Sequence, residues 1–324
     1  MATSPGSSSA PHKINGFFIP TNLINLELLI QRAGLSGTTI HDLPPAYLKS
    51  GSKVTQKQFA MFRAVCPDTI DSAKLPEHLH RYVSEGSLRA AIDLTNVSFE
   101  LHKYIQAIEK RTPIKSLTEM DIDWPGSFKV VRELQEQAMC SPTEGSYPHE
   151  ITVNSACIVL LQAISHLASG VDAEWFLEPA QFVATFGKGN YTALTDGQLR
   201  TNSGKTTSAI VEVKGGPRTD YSTPLMQEVA EIVGWITADP PARPATLNKL
   251  HYRLLVSQNE SEVYLTFAQF HHDYVEYLDK EKGVLTPHAF IKINRYGAWN
   301  VNVANDMRSL AVLLLSIVIE FAQT

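Results

Sequence analysis

Three residues, Asp196, Glu212 and Lys214, combine side-chain types and spacing that can do chemistry. Ile210, Val211 and Val213 form a short apolar, β-branched run, the composition of a buried strand, and Glu212 and Lys214 interrupt it. Side chains alternate across a strand, so Glu212 and Lys214 share one face while Val211 and Val213 share the other. A carboxylate and an ammonium on an otherwise buried strand cost desolvation energy and need partners or a task. Asp196 lies sixteen residues before Glu212, in an Asp-Gly pair followed by a segment rich in Gly, Ser and Thr. That spacing suits a hairpin that sets Asp196 beside Glu212. Two carboxylates and a lysine then converge, a set suited to one hard divalent cation and a phosphate. Without that task, the same residues read as a solvated ion pair on an edge strand.

The elements that would position them are legible on both sides. After Gly215-Gly216 and a turn, Leu225, Val229, Ile232, Val233 and Ile236 recur at helical spacing over 222–236, with Gln227 near the helix start. Upstream, 150–167 reads as a helix with Ile151, Ile158, Leu161, Ile164 and Leu167 on its apolar side. Glu150 and Asn154, four apart, share another face of it. A strand or two is expected over 175–194, and 250–258 and 262–270 read as strands joined by Asn259-Glu260-Ser261. Residues 289–293 read as a short strand, and Asn305 as the cap of a buried C-terminal helix.

Asp196 followed by Glu212-x-Lys214 on the next strand resembles the PD-(D/E)XK superfamily of restriction-endonuclease-like nucleases. Thr195 stands where that family's motif has proline. The order of helices and strands is the one that family's fold requires, and the strings Gln227-Glu228-Val229, Trp235-Ile236, 254–258 and 263–267 are similar to those of a group of fungal proteins with a nuclease-like C-terminal half. The resemblance covers roughly residues 140–324. It implies an α/β (α+β) fold, a restriction-endonuclease-like mixed sheet flanked by helices, and a magnesium-dependent phosphodiesterase acting on nucleic acid. In that reading Asp196 and Glu212 hold Mg2+ (or Mn2+), Glu150 completes the metal set, Lys214 positions or activates the attacking water, and Gln227 supports the site. The alternatives are a catalytically degenerate binding module of the same fold, or an enzyme with a small-molecule pocket.

The rest of the chain bounds these readings. Its 324 residues and 44% apolar content suit a globular protein, and residues 13–139 read as a mostly helical N-terminal region before the nuclease-like domain. Residues 1–12, rich in Ser, Pro and Ala, read as a disordered tail without the features of a signal peptide. The net charge of −5 argues against a general nucleic-acid binder, although a local basic groove is compatible with it. Cys66, Cys140 and Cys157 are dispersed with no CxxC pair, which favours an intracellular protein of cytoplasm or nucleus, and Cys157 is expected in the core. No run is long enough to span a membrane, so no membrane partner is expected; the oligomeric state, a homo-oligomer included, is left open.

Rival motifs are incomplete. Gly204-Lys205-Thr206 lacks the phosphate-loop glycine, because Leu199 occupies that place. His271-His272-Asp273 and His78-Leu79-His80 lack a third metal ligand at useful spacing, and no Gly-x-Ser-x-Gly elbow anchors a Ser-His-Asp triad. Arg218 and Lys188 flank the candidate site as phosphate contacts or plain surface charges, and Tyr191 and Trp235 are expected in the core.

Overall fold

In the computed structural model the described residues are 13–14, 17–111, 127–139, 147–201, 203–218, 222–244, 249–279 and 283–323. The tail over 1–12 and Cys140 lie outside them. The helices are α1 (Leu23–Arg32), α2 (Gln56–Met61), α3 (Leu75–His78), α4 (Glu85–Val97), α5 (Phe99–Lys110), α6 (Ser127–Met139), α7 (Glu150–Ser165), α8 (Ser222–Ala238), α9 (His272–Leu278) and α10 (Ala304–Phe321). The strands are β1 (Lys13–Ile14), β2 (Phe17–Phe18), β3 (Ala64–Val65), β4 (Ala173–Phe176), β5 (Gln181–Phe186), β6 (Gly189–Leu194), β7 (Gly197–Thr201), β8 (Thr206–Lys214), β9 (His251–Asn259), β10 (Glu262–Phe270) and β11 (Ile291–Asn300).

A seven-stranded mixed sheet runs in the order β3-β11-β10-β9-β8-β7-β4. Its central pair, β8 and β9, is parallel because the chain crosses over through α8, whereas β7-β8 and β9-β10 are antiparallel hairpins. Strand alternation divides the core in two. Ala209, Val211 and Val213 of β8, with Leu254 and Val256 of β9, face one cluster with α4, α5, α6, α7 and α10. Ile210 and Leu255 face the other, with α1, α2, α8, α9 and the β5-β6 hairpin. Residues on both sides of position 139 build each cluster, and β3 extends the sheet beside β11.

The α8 helix lies between the large sheet and the β5-β6 hairpin. Val229, Ala230, Ile232, Val233, Trp235 and Ile236 are all fully buried, so the helix is enclosed on every side rather than on one stripe. Its polar residues Gln227, Glu228 and Glu231 therefore cannot be a solvated face. Trp235 and Tyr191 are core residues, with the Tyr191 hydroxyl donating to the Ala230 carbonyl at 2.7 Å.

Several local expectations are corrected. The strand expected over 289–293 runs from Ile291 to Asn300; Arg295 broke its apolar pattern but is buried in an ion pair inside the fold. The segment 175–194 spans most of three strands, β4, β5 and β6. Asn305 does not cap α10: Val303 holds that position, and the Asn305 side chain accepts from Arg308 inside the first turn. Ile151 is exposed at the start of α7, whose buried side is Val153, Ala156, Cys157, Leu160, Leu161 and Ile164. Among the described residues, no helix is long and apolar enough to cross a membrane.

Candidate active site

The structure brings Asp196, Glu212, Lys214, Glu150 and Gln227 to one place, at the C-terminal end of β8 between the N-termini of α7 and α8. Backbone geometry does most of this. Asp196 immediately precedes β7; its N–H donates to the Val211 carbonyl at 2.8 Å, and its Oδ2 accepts the Val213 N–H at 2.7 Å. The aspartate thus brackets Glu212 on the neighbouring strand. Asn154 of α7 donates its side-chain amide to the Asp196 carbonyl at 2.9 Å and fixes that corner against the helix. Thr195 accepts the Ala180 N–H at 3.0 Å and donates to the Gly197 carbonyl at 3.1 Å, so it ties the end of β6 to the start of β7.

Two glycines are required by close approach. A Cβ at Gly197 would lie 2.8 Å from the Phe176 carbonyl oxygen and 2.6 Å from the Ile158 side chain. A Cβ at Gly215 would lie 2.4 Å from the Pro148 carbonyl oxygen. The second contact lets the chain before α7 settle on the end of β8, which carries Glu150 to Lys214.

Glu212 is only 2% exposed. Its Oε1 accepts from Lys214 Nζ at 2.5 Å and from Gln227 Nε2 at 2.5 Å. The Lys214 ammonium also lies 3.4 Å from Oε1 of Glu150, a half-exposed residue in the first turn of α7. The Gln227 amide reaches Glu231 Oε1 at 3.0 Å. Glu231, fully buried one turn along α8, is the member that sequence reasoning missed. Its signal was the i, i+4 spacing from Gln227, which places both on one helix face.

Burial and the Asp196 carboxylate push the Glu212 carboxyl up to about 8 against the pull of Lys214. Burial, with Glu212 next, raises Glu231 well above the carboxylate range. Burial also raises Asp196, opposed by the Val213 N–H and Lys214. For Lys214, burial works downward, but Glu212, Glu150 and Asp196 outweigh it and hold the ammonium charged. These shifts give a pH dependence of stability. The folded state binds a proton at Glu212 more tightly than the unfolded chain does, so its contribution is intact below about 4.5 and is lost as pH rises towards about 8. In chelator, the melting temperature is expected to fall between pH 5 and pH 8, and Glu212→Gln to flatten that slope, as read by calorimetry at several pH values.

Arg218 is neither a phosphate contact nor a surface charge: it is buried and paired with Glu228, with Nε donating to Asn259 Oδ1 at 3.0 Å. Its position beside a turn suggested exposure, but its side chain is held inside the fold by Glu228 and Asn259. Lys188 is exposed at the tip of the β5-β6 hairpin, at the far end from Leu194 and Thr195. Lys205 sits on the exposed β7-β8 hairpin tip, and no helix follows it as a phosphate loop requires.

Among the described residues, no three His, Cys, Asp or Glu side chains are already disposed around a metal position. Lys214 and Gln227 both donate to Glu212 Oε1. The donor set nevertheless suits a hard cation. Asp196, Glu212, Glu231 and Glu150 offer only carboxylate oxygen, one ammonium faces them, and Glu212 Oε2 is buried with no hydrogen-bond donor. Compared with protein-family models and with curated proteins, the chain matches none at a significant level.

Proposed function

We propose that this cluster is a divalent-cation site that hydrolyses a phosphodiester of nucleic acid, in the manner of PD-(D/E)XK nucleases. The observation that carries the reading is the convergence of Asp196, Glu212, Glu150 and Lys214 at one end of β8, three carboxyl groups around one ammonium. Asp196 and Glu212, with Glu150 at the rim, would hold Mg2+ or Mn2+. The cation, when bound, supplies polarisation of the phosphate and acidity to the attacking water.

The chain's own residues do the remaining work. The Val213 N–H and Asn154 keep Asp196 fixed, so its oxygens need no reorganisation as charge develops. Gln227 holds Glu212 from the α8 side. Lys214, tethered between Glu212 and Glu150, is placed to hydrogen-bond a non-bridging phosphate oxygen or to orient the water. The attacking water gives up one proton to solvent as its oxygen bonds to phosphorus, the bond to the leaving oxygen breaks, and the departing oxygen takes up one proton, so hydrolysis consumes one water. Tyr147, exposed with its ring against Gly216, offers a base a stacking surface beside the site.

Lys214→Ala is expected to lower cleavage by about 10²–10³-fold, the range for removing one preorganised electrostatic contact. Cation affinity should hold or improve, because the ammonium competes with the cation for Glu212. Parallel cleavage assays and calorimetric cation titrations of the variant check both halves. Loss of cation binding together with cleavage would assign Lys214 a structural role instead.

A second reading, the binding module with a degenerate site, is favoured by one observation: the Lys214–Glu212 pair already neutralises both groups without a cation. The small-molecule alternative has a cavity of about 410 Å³ lined by Val183, Thr185, Ile236, Pro240, Val275 and Leu278. It lies at the C-terminal end of α8, at the opposite end of that helix from Gln227, and Thr237 and Asp279 add polar groups to its lining.

A further inference from the structure

Three exposed apolar side chains stand next to members of the acidic cluster. Tyr147 precedes Glu150 by three residues, Ile151 follows it, and Leu194 precedes Asp196 by two; each is more than half exposed. Tyr147 has the most specific setting. Its ring atoms Cδ2, Cγ and Cε2 lie 3.2, 3.3 and 3.4 Å from the position that a Cβ at Gly216 would take. Near-equal distances to three adjacent ring atoms put that point over the face of the ring rather than at its edge. Gly216 thus lets the backbone two residues after Lys214 cover one face of Tyr147. The ring is 60% exposed, so its other face meets solvent. An aromatic ring held flat in this way, close to an ammonium that faces the site, is a platform for a nucleobase.

Charge decides which form of nucleic acid such a platform can serve. A grip on duplex that does not depend on sequence comes from many phosphate contacts, most of them made by basic side chains. The segments bordering the cluster, 140–154, 194–198, 212–227 and 257–262, contain Lys214 and Arg218 and no further lysine or arginine. Arg218 is buried in its pair with Glu228. The last of these segments brings Glu260 and Glu262 instead, with the Glu260 N–H donating to the Lys214 carbonyl at 2.9 Å. One ammonium cannot track the two backbones of a duplex, and paired bases have their faces closed by their own neighbours. The bases of a single strand can be splayed onto an aromatic ring. We propose that the site takes an unpaired strand, with one base stacked on the free face of Tyr147 and the adjoining phosphate at Lys214. The inference rests on the cation-dependent reading above and deepens it by naming the substrate class.

The test is fluorescence anisotropy of the full chain with a short labelled DNA strand, the RNA strand of the same sequence, and the DNA strand paired with its complement. Calcium chloride supplies a hard cation for the same oxygen donors, and binding is read instead of turnover. The wild type is expected to bind a single strand more tightly than the duplex, and the tighter of the two strands names the sugar. Tyr147→Ala should weaken single-strand binding by about 5–150-fold, the range for one stacked base, and Tyr147→Phe should restore it. The logarithm of the wild-type affinity should fall with the logarithm of salt at a slope of about −0.7, that of one phosphate contact on a single strand. Duplex bound as tightly as either strand, wild-type affinity in Tyr147→Ala, or a slope of about −3 or steeper overturns the proposal and leaves the cation-dependent reading standing. The strand preference and the salt slope are properties of the wild type, so they test the proposal whether or not the alanine variant folds. No binding of any of the three by the folded wild type removes the nucleic-acid reading itself, and this proposal with it.

Discussion

Glu212→Gln is expected to lose cation binding and to cut cleavage by at least about 10²–10³-fold, while the metal-free fold becomes no less stable at neutral pH. The two halves have one cause. Glu212 is the carboxyl on which most of the site converges: Lys214 and Gln227 donate to its Oε1, and Asp196 and Glu231 crowd it with like charge. Burial and Asp196 penalise its ionised form, which is the form a cation needs. Glutamine has the same length, keeps an acceptor for Lys214 and Gln227, and removes the charge. It therefore relieves the repulsion with Asp196 and Glu231 as it destroys the seat. Calorimetric melting in chelator, set beside cleavage and cation titration, measures the trade. A variant that unfolds, or one that cleaves at the wild-type rate, contradicts it.

The largest stability effect is expected at Glu228. This residue is 1% exposed and paired with Arg218 and Arg295, both buried as well. Arg218 comes from the turn after β8 and reaches Asn259 of β9, and Arg295 comes from β11, so one carboxylate joins the turn, α8 and two strands. Burial pushes its pKa up, but the two guanidinium groups outweigh that and hold it down at about 2. Glu228→Ala leaves two buried cations without a counter-charge, and the cost is about 3–5 kcal/mol, the range for breaking a buried pair from one side. That is a large share of the roughly 5–15 kcal/mol that holds a typical protein folded. Denaturant titration should show the midpoint fall accordingly. Glu228→Gln, which keeps acceptor geometry, should cost less. Because the folded pKa is depressed, the stability that Glu228 brings is present above about 4.5 and is lost as pH falls towards about 2.

The two networks show what the sequence reveals and what it hides. Asp196, Glu212 and Lys214 were legible because their relationship is local. A period of two places Glu212 and Lys214 on one face, and a hairpin brings Asp196 back to them. Glu150 and Gln227 came from the resemblance rather than from spacing. Glu231 was missed because α8 was read as a helix with one apolar stripe, which leaves its acids in water. The β5-β6 hairpin covers that side instead, a long-range packing choice with no local signature. Arg218 and Arg295 were hidden in a similar way: Arg218 stands beside a polar turn and Arg295 breaks an apolar strand pattern, and their partner, Glu228, sits on a different element. The individual strands and helices followed from alternation and turn residues and the mixed sheet from the resemblance, whereas the edge pairing of β3 with β11 involves strands more than two hundred residues apart.

The most direct measurement is cleavage of single-stranded DNA, duplex DNA and RNA by the purified full chain, with magnesium or manganese and then with chelator. The expected result is cutting of at least one substrate in the presence of cation, its loss in chelator, and its absence in Glu212→Gln. Intact substrates in every arm, with a folded protein that binds neither cation, would contradict the proposed chemistry and leave the site to the binding-module reading.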